Sequence, residues 1–166
     1  MHNFNWSITG SLKIKDNHSK IWDVISKESN LELFHPFCDK NYSSKWPGIN
    51  SLDTIDYYNG MVLERKFVNW IDNIGYDLFI GEVKGPKSFV SWRIKKQDDS
   101  SILIVSIFPY MYNSGSKIIN FIPFYIFIKP MLQRYINCVM RGLEYYIKTG
   151  NVVSKNQFGG HNFFSN

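Results

Sequence analysis

The chain has 166 residues, 44% hydrophobic and 20% charged, which is typical of one globular domain. Aromatic residues make up 17% of the chain and exclude a disordered polypeptide. The net charge is +5 at pH 7, but the basic residues are scattered and form no known recognition motif, so no nucleic acid partner is predicted.

The N-terminal part of the chain is predicted to form one strand followed by two short helices. Polar and apolar residues alternate over residues 6–15, which is the period of a half-buried strand. Asp16 and Asn17 are suited to the start of a helix, whose apolar stripe falls at residues 21–25. A second helical turn is predicted within residues 31–37, where a proline ends it.

The middle of the chain is predicted to be a meander of antiparallel strands. Residues 41–53 contain a proline, a glycine and several serines and are predicted to be a loop. After them, strands separated by turn residues are predicted at residues 54–58, 61–71, 75–83, 88–96 and 101–111. Asn59-Gly60 is a strong hairpin signal, because a two-residue type I′ turn needs a positive φ at both positions. With the first strand, this gives a sheet of six or seven strands.

The C-terminal part of the chain is predicted to be helical. Residues 131–148 place apolar side chains at helical spacing and form a long amphipathic helix. Before it, residues 118–128 form the most apolar run, which is too short to span a membrane. Two interpretations of this run remain open: a buried connection into the helix, or an exposed portal that contacts a membrane while ligand passes. The tail, residues 151–166, is predicted to fold back on a single domain at residues 1–150.

The order of these elements predicts an α+β fold with a cavity. A curved antiparallel sheet has one face to bury, and one long C-terminal helix is available to cover it. This order resembles the helix-grip superfamily, called SRPBCC, which groups START lipid-transfer domains, birch-pollen-allergen-like proteins and polyketide cyclases. The resemblance covers residues 6–150: DNHSKIWDVIS resembles the first helix, NLELFHPF the second helix with its exit, and YYNGMVLERKFVNW a strand hairpin of bacterial members.

The resemblance implies a small-molecule function. It implies binding or transport of a hydrophobic ligand, such as a lipid, a quinone or a polyketide-like compound, between sheet and helix. The alternative is a cyclase- or dehydratase-type enzyme acting on such a ligand, with Asp56, Tyr58, Arg65 or His35 as acid, base or oxyanion donor. A third alternative is an interaction protein whose cavity is filled by side chains. No cofactor is implied, and the superfamily has no common catalytic set to transfer.

The hairpin at Asn59-Gly60 predicts a charged pair on one face of the sheet. A two-residue turn places Asp56 and Arg65 diagonally on the same face as Tyr58. The other face is more charged, so the face with Arg65 is predicted to point inward. A buried charge is costly unless it is paired. Arg65 is therefore predicted either to anchor a ligand's carboxylate, carbonyl or hydroxyl, or to form a structural ion pair.

The predicted ligand-binding residues come from the hairpin, from the predicted strands at 75–83 and 88–96, from the long helix and from the exit of the second short helix. They are Asp56, Tyr58, Leu63, Arg65, Phe67, Tyr76, Trp92, Tyr135, Val139, Leu143 and His35. His35 leaves open three roles: a general acid near Asp39, the partner of a Cys38 nucleophile, or a lid residue without chemistry. No metal site is predicted, because the histidines lack the spacing of a metal-binding motif.

Cysteine content and the N-terminal residues predict the compartment. Cys38 and Cys138 are too few for a disulfide scaffold and are predicted to be reduced. Residues 1–6 lack the basic and apolar regions of a secretory signal, which favours the cytoplasm. The expected partner is the hydrophobic ligand, with transient membrane contact through residues 118–128 as an open alternative, and the chain is predicted to act as a monomer or a homodimer.

Overall fold

The computed structural model describes residues 4–15 and 18–165. Within these ranges the strands are β1 (Ile8–Lys15), β2 (Cys38–Lys45), β3 (Leu52–Tyr57), β4 (Val62–Ile71), β5 (Gly75–Gly81), β6 (Ser88–Gln97) and β7 (Ser100–Phe108). The helices are α1 (His18–Ile25), α2 (Leu31–Phe34), α3 (Lys117–Pro123) and α4 (Lys129–Thr149), and Phe124–Ile128 form a π-helical turn between α3 and α4. The predicted helix caps, Asp16 and Asn17, lie outside the described residues.

The strands form one antiparallel sheet in the order β1-β7-β6-β5-β4-β3-β2. Strands β2 to β7 follow one another as a meander, and β1 pairs with β7, placing Leu12 opposite Leu103. Buried and more exposed residues alternate along β1, β3 and β7, so one face of the sheet is packed and the other meets solvent. The predicted α+β fold, with a meander sheet and a long C-terminal helix, is confirmed.

The prediction of a loop at residues 41–53 is wrong, because Cys38–Lys45 form the edge strand β2. β2 pairs with β3 and places Tyr42 opposite Thr54. In β2 the buried residues are Cys38 and Asn41. A strand at the edge of a sheet exposes most of its side chains, so it lacks the apolar alternation by which a half-buried strand is detected.

The hairpin between β3 and β4 is one residue longer than predicted. The Tyr57 N–H donates to the Met61 carbonyl (2.9 Å), and the Gly60 N–H donates to the Tyr57 carbonyl (2.8 Å). Residues 58–60 therefore form a three-residue connection. Gly60 has a φ of +83°, the left-handed conformation that closes such a connection after a type I turn.

The longer turn reverses the face that β3 presents to the interior. Asp53 lies opposite Arg65, whereas a two-residue turn predicts Thr54 at that position. Successive side chains of a strand point to opposite faces, so a shift of one residue moves every side chain of the strand to the other face. The buried residues of β3 are Asp53, Ile55 and Tyr57. The prediction that Asp56 and Tyr58 point inward is wrong, while Arg65 on β4 is buried.

Helix α4 packs on the sheet through the apolar stripe that the sequence predicts. The buried residues of this stripe are Leu132, Ile136, Val139 and Leu143. α4 also approaches the end of α2 closely. A Cβ at Gly142 would lie 2.1 Å from the Phe34 carbonyl oxygen, so a glycine is required at this contact. The contact holds the residue that follows α2, His35, beside α4.

The C-terminal tail lies against α2 and α4. The Val153 N–H donates to the Leu33 carbonyl, and the Asn156 N–H donates to the Pro36 carbonyl, both at 3.0 Å. Phe164 is buried, and its ring centroid lies 4.5 Å from that of Tyr135 on α4. The tail thus contributes a ring to the space between sheet and helix.

The apolar run at residues 118–128 is helical and mostly exposed. α3 contains no buried residue, and Phe124 and Ile128 are the buried residues of the π-helical turn. The interpretation of this run as a buried connection is therefore wrong. Among the described residues, no helix is both long and apolar enough to cross a lipid bilayer.

Candidate functional site

A cavity of about 240 Å³ lies between the sheet and α4. Strands β3 to β7, the loop after β7, α4 and the tail form its wall, which is mostly apolar. Representative apolar side chains on the wall are Leu63, Leu78, Val90, Val105, Leu132 and Val139. Glu82, Pro86, Tyr110 and Phe163 line the cavity but are exposed, so they mark its opening.

The structure brings part of the predicted binding set together on this wall. The predicted residues that line the cavity are His35, Leu63, Arg65, Trp92, Tyr135 and Val139. Asp56 and Tyr58 do not line it, because the longer hairpin turn places Asp56 on the outer face of β3 and Tyr58 in the connection itself. Phe67, Tyr76 and Leu143 do not line it either, although all three are fully buried.

Phe67 and Tyr76 belong to an aromatic cluster that fills the neighbouring part of the core. The ring centroid of Phe67 lies 5.0 Å from that of Tyr76 and 5.1 Å from that of Trp46. The Tyr76 hydroxyl donates to the Ile25 carbonyl at the end of α1 (3.3 Å). Alternation along a strand identifies an inward side chain, but it does not distinguish a cavity wall from filled core.

Arg65 forms a buried ion pair with Asp53 in the wall of the cavity. Its Nε donates to Asp53 Oδ1 (2.8 Å), and its NH2 group donates to Asp53 Oδ2. Asn41 Nδ2 also donates to Asp53 Oδ2 (3.2 Å). Burial alone lowers the pKa of Arg65, but the charge and hydrogen bonds of Asp53 outweigh it and raise this pKa above its ordinary value. Arg65 is therefore charged, and its guanidinium is paired with the Asp53 side chain.

This pairing corrects the predicted partner of Arg65. The sequence predicts Asp56, but the carboxylate in contact is Asp53, which the predicted register assigns to the solvent face. Both charged groups are almost inaccessible, with side-chain exposures of 3% for Arg65 and 0% for Asp53. The contacts agree with the structural ion pair, the second of the two interpretations, since the guanidinium already has a carboxylate partner.

His35, Tyr135 and Tyr57 form a hydrogen-bonded cluster that lines the cavity. His35 Nε2 lies 2.7 Å from the Tyr135 hydroxyl, and the two tyrosine hydroxyls lie 3.1 Å apart. The Phe37 N–H donates to His35 Nδ1 (3.2 Å), so Nδ1 is an acceptor. Burial, with a smaller effect of the Arg65 charge, lowers the pKa of His35 to about 3, and the ring is neutral at pH 7. Its proton is therefore on Nε2, which donates to Tyr135.

The cluster has one more hydroxyl hydrogen than it can use internally. Nε2 of His35 donates to Tyr135, and one of the two tyrosines donates to the other. The remaining hydroxyl hydrogen has no acceptor among the hydrogen bonds of the described residues. Burial raises the pKa of Tyr135 to about 12. Burial and the neighbouring Tyr135 raise the pKa of Tyr57 well above its ordinary value, so both hydroxyls stay protonated. The cluster can donate one hydrogen bond to a molecule in the cavity.

Cys38 lacks the arrangement of a nucleophile. Its thiol donates to the Lys40 carbonyl (3.3 Å), whereas His35 contacts Tyr135 and the Phe37 amide. Burial raises the pKa of Cys38 to about 12, so the thiol is protonated at neutral pH. Of the three roles left open for His35, the partner of a Cys38 nucleophile is therefore wrong.

Sequence reasoning missed Tyr57, Asp53 and Phe164. The turn geometry assigned Tyr57 and Asp53 to solvent, although the apolar alternation of Ile55 and Tyr57 along β3 indicates the correct face. Phe164 stacks near Tyr57 and Tyr135, with ring centroids 5.1 Å and 4.5 Å away. The phenylalanines of the tail predict that it folds back on the domain, but no local pattern indicates that Phe164 reaches Tyr57 on β3 and Tyr135 on α4.

We expect His35 to make the stability of the protein depend on pH. Its pKa is about 3 in the folded state against 6.5 ordinarily, so between these values the unfolded chain binds more protons. The contribution is present above pH 6.5 and is lost as the pH falls toward 3. Between pH 6.5 and 5 the free energy of unfolding should fall by about 1.5 kcal/mol through this group alone. Urea denaturation of wild type and His35→Asn at both pH values measures this, and equal falls in the two proteins would contradict it.

The chain is similar to known proteins at the level of structure. No protein-family model matches the chain, and no curated protein matches it with significant similarity. The Aha1 dimer structure from Colwellia psychrerythraea matches with a TM-score of 0.64 and 13% identity, covering 87% of this chain and 98% of that one. Ara h 8.0201 matches with a TM-score of 0.62 and 11% identity, covering 87% and 98%. DynU16, a protein of the dynemicin biosynthetic locus, matches with a TM-score of 0.60 and 12% identity over 90% of this chain.

These similarities show that the chain has the helix-grip fold that the sequence resemblance implies. This chain spans about half of DynU16, 51% of its length. At identities of 11–13% the similarity extends to the fold alone. The function must therefore be inferred from the cavity and its polar cluster.

Proposed function

We propose that this protein binds a compact, uncharged hydrophobic molecule between the sheet and α4, and that Tyr57 or Tyr135 donates a hydrogen bond to an oxygen of that molecule. The observation that carries the proposal is an apolar cavity of about 240 Å³ whose wall contains one polar cluster with an unused hydroxyl hydrogen. Small-molecule sites combine apolar walls with a few polar groups that fix orientation.

The size of the cavity favours a compact ligand. Drug-sized ligands occupy pockets of about 300–1,000 Å³, and the cavity here lies just below that range at about 240 Å³. Exposed wall residues, among them Tyr110 and Phe163, provide an opening through which a ligand could enter. A molecule with fused rings or a short chain is suited to this volume.

The charges in the wall favour an uncharged ligand. The positive charge of Arg65 is matched by Asp53, and His35 is neutral, so a carboxylate in the cavity would meet no unpaired cation. Transfer of an unpaired charge from water into such a site is strongly unfavourable. The unused hydroxyl hydrogen instead suits a carbonyl, ether or hydroxyl oxygen.

Two of the ligand classes that the sequence resemblance implies fit these conditions. Quinones and polyketide-like ketones are uncharged and have carbonyl oxygens attached to apolar rings, whereas fatty acids carry a carboxylate. We therefore favour an apolar ring compound with a carbonyl oxygen.

The proposal predicts the order in which three naphthalene derivatives bind. By isothermal titration calorimetry, 2-acetylnaphthalene should bind about 2–10-fold more tightly than 2-isopropylnaphthalene, which has the same shape but no acceptor oxygen. Naphthalene-2-carboxylate should bind more weakly than both. In Tyr57→Phe/Tyr135→Phe, which removes both hydroxyls of the cluster, the ketone should lose much of its advantage, while the hydrocarbon should bind as it does to the wild type.

Two further variants show where the probes bind. Tyr145→Phe removes a hydroxyl from the same helix outside the cavity and should change nothing. Ile80 lines the cavity and is partly exposed, so Ile80→Trp can fill the space from its edge and should weaken all three probes. Unchanged binding to Ile80→Trp would place the site elsewhere, and tight binding of the carboxylate would contradict an uncharged ligand.

We expect this binding to take place in the cytoplasm. Both cysteines are free and buried, which agrees with a reducing compartment. We propose a monomer or a homodimer as the binding form. A homodimer remains compatible with the fold, because the structurally similar Aha1 is described as a dimer.

A further inference from the structure

The surface of α3 and the π-helical turn is densely apolar. The exposed fraction is 89% for Ile118, 76% for Ile119, 63% for Ile122, 59% for Ile126 and 66% for Phe127. These residues lie within ten consecutive positions of the chain. Single exposed apolar residues need no explanation, but a contiguous apolar surface marks a site of interaction.

This surface is held in place from its inner side. Phe124 is fully buried, and its ring centroid lies 4.8 Å from that of Trp6. The Ser116 hydroxyl caps α3 by accepting from the Ile119 N–H, and Asn120 Nδ2 donates to the Ser114 carbonyl. The buried ring and the capped helix start therefore hold the exposed apolar side chains in a fixed arrangement.

The charged residues that flank this surface in the sequence are all positive. Residues 100–143 contain no aspartate or glutamate, whereas Lys117 and Lys129 stand at the two ends of the apolar run. Both lysines are exposed, and Lys129 Nζ lies 4.7 Å from the ring centroid of Tyr125. Lysines that flank an apolar helical face are attracted to the headgroups of anionic lipids.

We propose that α3 and the π-helical turn form a docking surface for an anionic lipid bilayer. Ile118, Ile122 and Phe127 enter the boundary between headgroups and acyl chains, and Lys117 and Lys129 contact the lipid phosphates. The charges that flank the apolar side chains favour lipid over a protein partner. Lys117 and Lys129 are both positive and exposed, which suits the phosphates of an anionic bilayer, and the amide of Asn120 is directed back to Ser114.

The docking surface connects two parts of the cavity wall. Met111 precedes it, Met131 follows it, and both line the cavity. Contact with a bilayer would therefore place lipid next to elements that enclose the proposed ligand. This link to ligand exchange rests on the proposed function, whereas docking itself rests on exposure and charge alone.

Vesicle co-sedimentation of the full chain tests the docking surface. Wild-type protein should bind vesicles of phosphatidylcholine mixed with phosphatidylglycerol at least tenfold more tightly than vesicles of phosphatidylcholine alone. The variant Ile118→Ser/Ile122→Ser/Phe127→Ser should lose at least tenfold in binding to the mixed vesicles. Lys117→Gln/Lys129→Gln should remove most of the preference for the anionic lipid.

A matched control replaces three exposed apolar residues elsewhere on the surface. Ile49, Val62 and Ile74 are 56%, 49% and 43% exposed, and their triple serine variant should bind vesicles as the wild type does. Because all substituted residues are exposed, the folds should be retained, which circular dichroism checks. Each variant should also bind 2-acetylnaphthalene as the wild type does, so a failure of docking is distinguishable from a failure of the proposed function.

A site-specific label shows which residues meet the lipid. Cys38 and Cys138 are buried, so Ile122→Cys can be labelled with an environment-sensitive dye in the folded protein, with Ile49→Cys as the control. Mixed vesicles should shift the emission of the dye at residue 122 to the blue and leave residue 49 unchanged. Equal binding by the wild type and the triple serine variant would overturn the proposal, as would an unshifted dye at residue 122. Self-association through this face without vesicle binding would assign it to a second copy of the chain and also overturn the proposal.

Discussion

Replacing Arg65 by methionine should destabilise the protein by about 3–5 kcal/mol, because Asp53 would remain buried without its cation. The carboxylate of Asp53 accepts from Arg65 through both oxygens and from Asn41 through one. Asn41 alone cannot balance the charge of a carboxylate whose side chain is inaccessible to solvent. Urea denaturation of wild type and variant at pH 7 measures the difference.

Two controls separate a buried charge from a general effect of losing arginine. In Asp53→Leu/Arg65→Met both charges are absent, so the double variant should be more stable than Arg65→Met alone. Arg93 also pairs with an aspartate, Asp77, but this arginine is 30% exposed. Arg93→Met should cost less than Arg65→Met, because water reaches this pair, with side-chain exposures of 30% for Arg93 and 13% for Asp77. Equal losses in Arg65→Met and Arg93→Met would show that burial of the first pair is not what matters.

The Arg65 pair also shows how far local sequence reasoning can reach. The more charged opposite face correctly directs Arg65 inward, and within β4 this needs only the contrast between Leu63, Arg65 and Phe67 on one face and Glu64 and Lys66 on the other. The partner of Arg65 depends on the register of the hairpin. One additional residue in the turn makes Asp53, and not Asp56, the partner of Arg65, although both turns contain Asn59-Gly60. The two turns differ in the φ of Asn59, and neighbouring sequence does not determine that angle.

The long C-terminal helix and the meander could be predicted because their periods are strong. The edge strand β2 could not, because most of its side chains face solvent and its pattern resembles a loop. The polar cluster of the cavity could not be predicted from the sequence for a different reason. His35 and Tyr135 are 100 positions apart, and Tyr57 and Tyr135 are 78 apart, so their contacts depend on how separate elements pack.

The helix stripe illustrates the same limit within one element. Leu132 and Leu143 both fall on the buried side of α4, and helical spacing treats them alike. In the structure Leu132 lines the cavity, whereas Leu143 is fully buried and does not line it. The open space beside Leu132 is what a binding protein requires, whereas an interaction protein would have a completely filled core.

Truncating these two leucines should therefore have unequal effects on stability. Leu143→Ala should reduce the free energy of unfolding by about 2–5 kcal/mol, the sum of lost transfer energy and a new cavity. Leu132→Ala should cost at least about 1 kcal/mol less, because its side chain already borders open space and loses fewer contacts. Urea denaturation without ligand gives both values, and circular dichroism confirms that both variants are folded.

The same pair of variants should differ in ligand capacity. Leu132→Ala extends the existing cavity and should allow a longer ketone, such as 2-butanoylnaphthalene, to bind more tightly than it binds to the wild type. Leu143→Ala opens space away from the cavity and should leave that affinity unchanged, after allowance for its lower stability. Equal stability losses in the two variants, with no gain in affinity for Leu132→Ala, would mean that the interior closes around the helix in solution. The open cavity, and with it the proposed binding function, would then be excluded.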